Sequence, residues 1–437
     1  MSGLASLSEH GEQLAKGVEE YTYDFKLLFS RFLESTEFKR LLAYPPQNER
    51  SWEYGLMRLV ETVCSHIIMG VTPSVETVKE IAALINSGLP HAVALYGDPD
   101  GTLSKEILLS NAALRSMFGE RHIETLRKML HDLEVQPHEA FEPLLGDCLP
   151  THLFNLSWRG ELLPIIRLPS PTRQEYISKA IPSEIFNVAL RRFRKQKKKC
   201  LLINLQGCGK TKDTARCDTL KALAAKPEIH ETLSICTLSR DGDFYHQKGM
   251  FEEMSAAEPF MQALIEHMTE TSKGIFWPEP LSGTIRTELT TLIHRIHEAF
   301  FNSRETLSKA KRLDFIELVQ VLAMARIIAE SHPDIIAVCC KDGVDVTLPV
   351  LCELYAFFAA LHHHLPQPDE MEWIKTMVLG LPLIQRGRLL FEERSERLVS
   401  FLRFLERIRE GRIGEHEWHA AFRDFLPHDI MSAMIRK

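Results

Sequence analysis

The chain has 437 residues, of which 45% are hydrophobic and 25% charged, as in ordinary globular proteins. This composition excludes collagen-like, wholly disordered and membrane-spanning classes of protein. With 52 Lys and Arg against 59 Asp and Glu, the net charge is −7, so no overall positive field attracts nucleic acid or anionic lipid. The N-terminus lacks the apolar core of a Sec signal, so we expect a cytoplasmic protein, with export into a host cell by another route left open.

The nine cysteines are scattered along the chain, and no CxxC pair occurs among them. This pattern is typical of free buried thiols and not of a zinc ribbon or a redox pair. We therefore predict no metal site and no cofactor. A cysteine matters to function here only if one of them is a nucleophile.

The first third of the chain has apolar residues at helical spacing, for example around 14–44 and 103–133. We predict a helical N-terminal domain over residues 1–148. Beyond it, the short apolar runs THLFNLSW and ELLPIIRL are joined by Arg159-Gly160, which predicts a β-hairpin.

The rest of the chain alternates between short strands and helices. We predict strands at 200–206, 233–239 and 334–340, and an amphipathic helix over 306–331. Such alternation is typical of an α/β fold with a mainly parallel sheet flanked by helices. We assign residues 149–437 to an α/β domain with a helical C-terminal closure.

The third predicted strand leads into a tight polar turn and a helix in the segment DIIAVCCKDGVDVTLPV. Gly343 allows the backbone to approach an anion closely, and the helix presents its N-terminus to the turn. A turn of this kind stabilises a cysteine thiolate and a phosphate group together.

This turn resembles the phosphate-binding loop of the cysteine-dependent phosphatases, in particular the phosphoinositide-phosphatase branch, whose loop commonly reads CKSGKDRT. The stretch reads CKDGVDVT here and agrees with that pattern at five of its eight positions. The resemblance implies a phosphatase-like fold, Cys340 as the nucleophile, and a phosphate-binding loop that continues through Lys341, Asp342, Gly343, Val344, Asp345, Val346 and Thr347.

Val346 stands where the family has an arginine that holds two phosphate oxygens. Valine donates no hydrogen bond, and loss of one preorganised donor slows other enzymes by about 10²–10³-fold. Val344 also replaces a basic residue, and Cys339 replaces the usual histidine. We therefore expect a degenerate phosphatase-like protein that binds a phosphorylated small molecule, lipid headgroup or protein with little or no hydrolysis. A working phosphatase, with an arginine supplied from elsewhere such as Arg386 or Arg388, is an alternative.

The phosphatase branch includes bacterial effectors, so the resemblance makes an effector role one expectation. A second resemblance is carried by INLQ, DFYHQ, RLDFIEL and CKDGVDV together. It is to uncharacterised proteins of chlamydia-like intracellular bacteria, and it implies no activity.

Polar residues follow the second predicted strand in the segment RDGDFYHQ. Arg240, Asp241 and Asp243 are expected at the edge of the sheet, where α/β folds assemble their sites. If Cys340 is a nucleophile, Asp241 or Asp243 would protonate the leaving oxygen, and Arg240 would contact phosphate. A solvated turn built on Asp-Gly-Asp is the structural explanation of the same residues.

The segment GCGKT after the first predicted strand partly matches the Walker A pattern GxxxxGK[ST]. Gly209, Lys210 and Thr211 fit the pattern, but Asn204 stands where its first glycine belongs. A P-loop NTPase that binds nucleotide through these three residues is one alternative function. A simple turn of small residues is the structural alternative.

The segment RRFRKQKKK, from Arg191 to Lys199, is strongly basic and ends a predicted helix. It complements the helix dipole as a solvated face, and it also offers a peripheral contact for an anionic membrane. Within it only Phe193 provides a stacking surface, so we do not expect nucleic acid as a partner. A non-enzymatic scaffold, in which both loops are only structural, is the remaining alternative.

Overall fold

A computed structural model describes residues 28–70, 102–118, 150–207, 211–270, 275–278, 285–362, 367–382, 389–407 and 420–436. Within these residues the protein is a mixed α/β structure in which helices flank a mostly parallel sheet, so the predicted fold class is confirmed. Among the described helices, none combines the length and apolar character that a membrane crossing requires.

Most of the described strands belong to one large sheet. Their bounds are β1 (Thr151–Trp158), β2 (Glu161–Leu168), β3 (Thr172–Tyr176), β4 (Lys179–Pro182), β5 (Cys200–Asn204), β6 (Leu233–Leu238), β7 (Ile275–Phe276), β8 (Ile335–Cys339) and β9 (Met434–Arg436). The sheet has the order β7-β6-β5-β8-β2-β1-β9, and β3 pairs with β4 in a separate hairpin. Strands β6, β5, β8 and β2 are parallel, whereas β7 and β1 are antiparallel to their neighbours.

Helices connect the strands and cover both faces of the sheet. Their bounds are α1 (Thr36–Ala43), α2 (Trp52–Gly70), α3 (Leu103–Phe118), α4 (Glu184–Lys195), α5 (Thr211–Ala224), α6 (Asp243–His246), α7 (Ala257–Thr269), α8 (Ile285–Phe301), α9 (Lys309–Ser331), α10 (Thr347–Leu361), α11 (Pro368–Lys375), α12 (Glu392–Arg407) and α13 (His428–Met431). Local chemistry sets several starts; for example, the Ser183 hydroxyl accepts a hydrogen bond from the Phe186 N–H in the first turn of α4.

Helix α9 has a different environment from the one its sequence predicts. The pattern over 306–331 predicts an amphipathic helix, but nearly every residue of α9 from Phe315 onwards is buried. The helix lies between the sheet and helices α8, α10, α12 and α13. Its polar residues therefore find partners inside the protein; Asp314, for example, accepts a hydrogen bond from the Ser400 hydroxyl at 2.8 Å.

Two hydrophobic cores cover the two faces of the sheet. Helices α1, α2, α4 and α5 pack on one face, through residues such as Phe38 and Leu220. Helices α7 to α10 and α12 form the larger core on the other face, and Ile107 of α3 joins them. Helices from the first third thus pack against the sheet itself. The domain boundary predicted at 148–149 lies outside the described residues.

The connections that follow β5 and β8 position the candidate site. These two strands are parallel neighbours, but β5 leads into α5 on one face of the sheet and β8 leads into α10 on the opposite face. Because the chain leaves neighbouring strands in opposite directions, a crevice forms between their carboxyl ends. In open α/β sheets, ligands bind in crevices of this kind.

Candidate functional site

The crevice contains an open cavity of about 450 Å³. Its walls come from the segments that follow β5, β6 and β8, together with residues of α12 and of the β3–β4 hairpin. Thr211, Asp241 and Cys340, which belong to three separate sequence motifs, all line it. The fold therefore brings into one place three segments that the sequence presents far apart.

The loop after β8 divides into residues that line the cavity and residues buried behind it. Those lining it are Cys340, Lys341, Asp342, Asp345 and Val346, and those buried away from it are Gly343, Val344 and Thr347. Lys341 is exposed and provides the loop's cationic side chain. The predicted loop thus contributes a wall of the cavity with one positively charged side chain, Lys341, at its rim.

Gly343 fixes the loop against strand β2. Its φ is +69°, and a Cβ added there would lie 2.9 Å from the Leu168 carbonyl oxygen. The buried Arg167 side chain donates from Nη1 to the Gly343 carbonyl oxygen at 3.0 Å. Sequence reasoning missed Arg167, although an arginine inside the apolar run ELLPIIRL is a signal of a buried polar contact.

Cys340 is 4% exposed, and its thiol is held inside the loop. The sulfur donates to Asp342 Oδ1 at 3.4 Å and accepts from the Gly343 N–H at 3.2 Å. Burial and the charge of Asp342 raise the pKa of the Cys340 thiol, against a smaller lowering by Thr347. The thiol form is therefore favoured, and the thiolate that attacks phosphorus is suppressed.

Val346 occupies the N-cap position of α10 with no side-chain cap. Its partly buried side chain packs against the larger core and also lines the cavity. Valine supplies neither charge nor hydrogen bond at the position where the resemblance has an arginine. Within the loop itself, the positive potential comes from the N-terminus of α10 and the side chain of Lys341. Arg386 and Arg388 lie outside the described residues.

Arg240 was predicted to contact phosphate; it lies at the cavity wall, and its Nη1 is engaged by two glutamates. The side chain is 1% exposed, and Nη1 donates to carboxylates of Glu317 and, at 2.5 Å, Glu353. Glu317 also accepts from the Tyr245 hydroxyl at 2.6 Å and pairs with Arg397. Arg240 therefore anchors α9 and α10 beneath the cavity.

The two glutamates of this buried network differ in protonation. Burial opposes ionisation of Glu317, but the charges of Arg240 and Arg397 outweigh it and hold its pKa below the ordinary value. Burial raises the pKa of Glu353 to about 8, although Arg240 acts in the opposite direction. Of the two carboxyl groups, Glu317 is therefore the one that the network favours as a carboxylate, and Glu353 is the one that takes up a proton more readily.

The two candidate acids after β6 have different positions. Asp241 lines the cavity and lies against Gly207. A Cβ added to Gly207 would lie 3.0 Å from the Asp241 Cβ. A hydrogen bond with His246 and the Gly242 N–H hold the pKa of Asp241 well below its usual range, so it carries no proton to donate near neutral pH. Asp243 is exposed at the start of α6 and does not line the cavity.

Of the Walker-like segment, Gly209 and Lys210 lie outside the described residues. Thr211 is the first residue of α5 and lines the cavity. Asn204, which replaces the first glycine of the pattern, is buried and donates to Thr237 Oγ1 at 3.3 Å. The amide therefore links the neighbouring strands β5 and β6.

The basic run is partly committed to internal contacts. Glu61 of α2 is buried and accepts from Lys195 Nζ at 2.8 Å, and Arg191 Nε lies 3.5 Å from the same carboxylate. Arg194 donates to the Glu228 carbonyl oxygen at 3.3 Å. These cations hold α4 to its neighbours, and the predicted membrane contact of the run remains a prediction.

Comparisons of the chain with protein families, curated proteins and solved structures found no match. Within the described residues, no group of three or more His, Cys, Asp or Glu side chains is arranged to hold a metal ion. The functional interpretation depends on the crevice itself.

Proposed function

We propose that the crevice binds a phosphorylated ligand with little or no hydrolysis, as a degenerate phosphatase-like site. The observation that supports this is the cavity between the carboxyl ends of β5 and β8, which the N-termini of α5 and α10 border. Helix N-termini attract anions through their free N–H groups and dipoles. Two of them at one switch point favour a phosphate group as the occupant.

Cationic side chains reinforce this potential. Lys212, in the first turn of α5, and Lys341 are both exposed and line the cavity. Ammonium groups on flexible stems form charge-assisted hydrogen bonds with phosphate oxygens. The ligand would thus be held by backbone N–H groups from inside and by lysines from the rim.

The lack of hydrolysis follows from three features of the same wall. Cys340 favours its thiol form, Val346 cannot stabilise charge on a transferring phosphoryl group, and Asp241 has no proton for a leaving group. Each feature removes one part of the phosphatase reaction. Together they favour binding of the ligand without turnover.

The ligand's class is a phosphorylated small molecule, a lipid headgroup or a phosphoprotein. A nucleotide belongs to the first group, and Thr211 at the start of α5 favours it as a second candidate. Contact with an anionic membrane through Arg191 to Lys199, a cytoplasmic location and export into a host cell stay predictions from the sequence. A purely structural scaffold is the competing interpretation.

Calorimetric titration of the full chain with 4-nitrophenyl phosphate tests the proposal, because the same solution reports turnover by absorbance. We expect binding without release of nitrophenolate, and about tenfold weaker binding by Lys341→Ala. Lys226→Ala is the matched control, because Lys226 is exposed beyond the opposite end of α5. No binding by the wild type, or equal binding by both variants, would refute the proposal.

A further inference from the structure

Cationic side chains line the cavity on both sides of the sheet, together with the carboxylates of Asp213, Asp241, Asp342 and Asp345. On one face, α5 contributes Lys212 and Arg216, which are four residues apart and so lie on the same side of the helix. On the opposite face, α12 contributes Arg394. An occupant of the crevice therefore meets cations from two directions.

On the α5 side, only some of the hydrogen-bond donors of Arg216 have partners among the described residues. Arg216 donates from Nε to Gln174 Oε1 at 3.0 Å, which fixes its guanidinium. Its Nη1 is buried, and no hydrogen-bond acceptor for it lies among the described residues. Buried donors are normally paired, so this atom indicates a missing acceptor at the cavity wall.

On the α12 side, Arg394 is oriented by a backbone hydrogen bond, and its charge lowers the pKa of the carboxyl groups of Asp241, Glu317 and Glu393. Its Nη2 donates to the Arg240 carbonyl oxygen at 3.0 Å, and its guanidinium lies 5.5 Å from the Tyr245 ring centroid. No ion pair of Arg394 occurs within the described residues. Arg394 and Val346 both line the cavity and also a small internal space behind it, so the two residues border the same region of the site.

A third arginine, Arg240, belongs to the wall of the cavity between these two. Arg240 is 1% exposed and lines the cavity, and among the described residues its Nε and Nη2 have no hydrogen-bond partner. Its Nη1 donates to two glutamates, which anchor the guanidinium at the wall. Unpaired buried guanidinium nitrogens at the wall are an observation separate from the helix N-termini, and they indicate an anionic occupant.

We infer that the occupant of the crevice carries two linked phosphate groups, as a diphosphate does. One phosphate binds at the N-terminus of α5 with Lys212 and Arg216, and the other binds Arg394 beside Val346. This inference rests on the proposed function and names its ligand class. In this arrangement Arg394 supplies the guanidinium that the loop lacks.

The test compares inorganic phosphate with pyrophosphate by calorimetric titration of the full chain in EDTA-containing buffer. We expect the wild type to bind pyrophosphate about 10-fold to 100-fold more tightly, because a second set of charge-assisted hydrogen bonds forms. Arg216→Gln and Arg394→Gln should each reduce this preference to less than about threefold. Lys226→Gln, beyond the far end of α5, should retain it.

The outcomes separate this inference from the proposed function. If the wild type binds both anions equally, or if only one arginine affects the preference, the two-phosphate ligand is wrong and the phosphate site stands. If neither anion binds, the proposed function fails as well. If a glutamine variant does not fold, the lysine variant at the same position, Arg216→Lys or Arg394→Lys, is titrated in its place. These variants keep the positive charge at each wall.

Discussion

At the scale of single residues, the environment of Cys340 decides whether the loop is a nucleophilic centre. The thiol is buried and donates to a carboxylate, whereas a reactive cysteine needs an exposed, electropositive setting. We therefore expect iodoacetamide to modify Cys340 more slowly than free cysteine at neutral pH. Mass spectrometry of the Cys340 peptide over time measures the rate.

Asp342→Asn provides a matched variant for this expectation. The charge of Asp342 raises the pKa of Cys340, while the amide oxygen of asparagine keeps an acceptor for the Val344 N–H. Alkylation of Cys340 should accordingly be faster in Asp342→Asn than in the wild type. An unchanged or slower rate would show that Asp342 does not control the thiol.

Gly343 supports a prediction about stability. Gly343→Ala combines a φ of +69° with a contact of 2.9 Å to backbone, so we expect a loss of about 3 kcal/mol in the free energy of unfolding. Gly160→Ala shares the positive φ, at +82°, but meets nothing within 4 Å, so about 1 kcal/mol should be lost. Urea unfolding of both variants measures the difference, and equal losses would contradict the role of close packing against β2.

At the scale of elements, the buried network joins the loop after β6 to α9, α10 and α12. The ionised carboxylate of Glu317 accepts hydrogen bonds from Arg240 and Tyr245 and forms an ion pair with Arg397. Glu317→Gln should therefore lower the free energy of unfolding by about 3–5 kcal/mol at pH 7, because two buried guanidinium groups lose their counter-charge. Chemical unfolding monitored by circular dichroism measures this, and a loss below about 1 kcal/mol would contradict the ionised state.

Glu353 makes the free energy of unfolding depend on pH. Its pKa rises from about 4.5 to about 8 on folding, so the native state binds one more proton between these values. Its contribution to the free energy of unfolding therefore falls as pH increases through this window. Glu353→Gln, which resembles the protonated side chain, should reduce that fall. A pH series of urea unfolding curves shows whether the slope changes, and an identical slope would exclude Glu353 as its source.

Most elements could be predicted from the sequence because each depends on local patterns. Apolar runs indicated β5, β6 and β8 within one or two residues, and Arg159-Gly160 indicated the turn between β1 and β2. The pattern over 306–331 does not reveal the burial of α9, because its charged residues find partners on distant elements. The engagement of Arg240 with Glu317 and Glu353 was invisible for the same reason.

At the scale of the whole molecule, the site arises from strand order. β5 and β8 are separated by about 130 residues in sequence but are paired in the sheet, so Cys340 and Thr211 line one cavity. The sequence predicted both motifs but not their meeting, because it does not reveal which parallel strands are neighbours. Arg394 and Arg167 were missed, since their importance depends on that same assembly.

The central claim is that the crevice between β5 and β8 is an anion site. Crystals of the full chain soaked in sodium tungstate, an electron-dense analogue of phosphate, test it by anomalous diffraction. We expect the tungsten peak in the cavity, between the N-terminus of α5 and the loop that contains Lys341. An empty crevice in crystals that bind tungstate elsewhere would contradict the account.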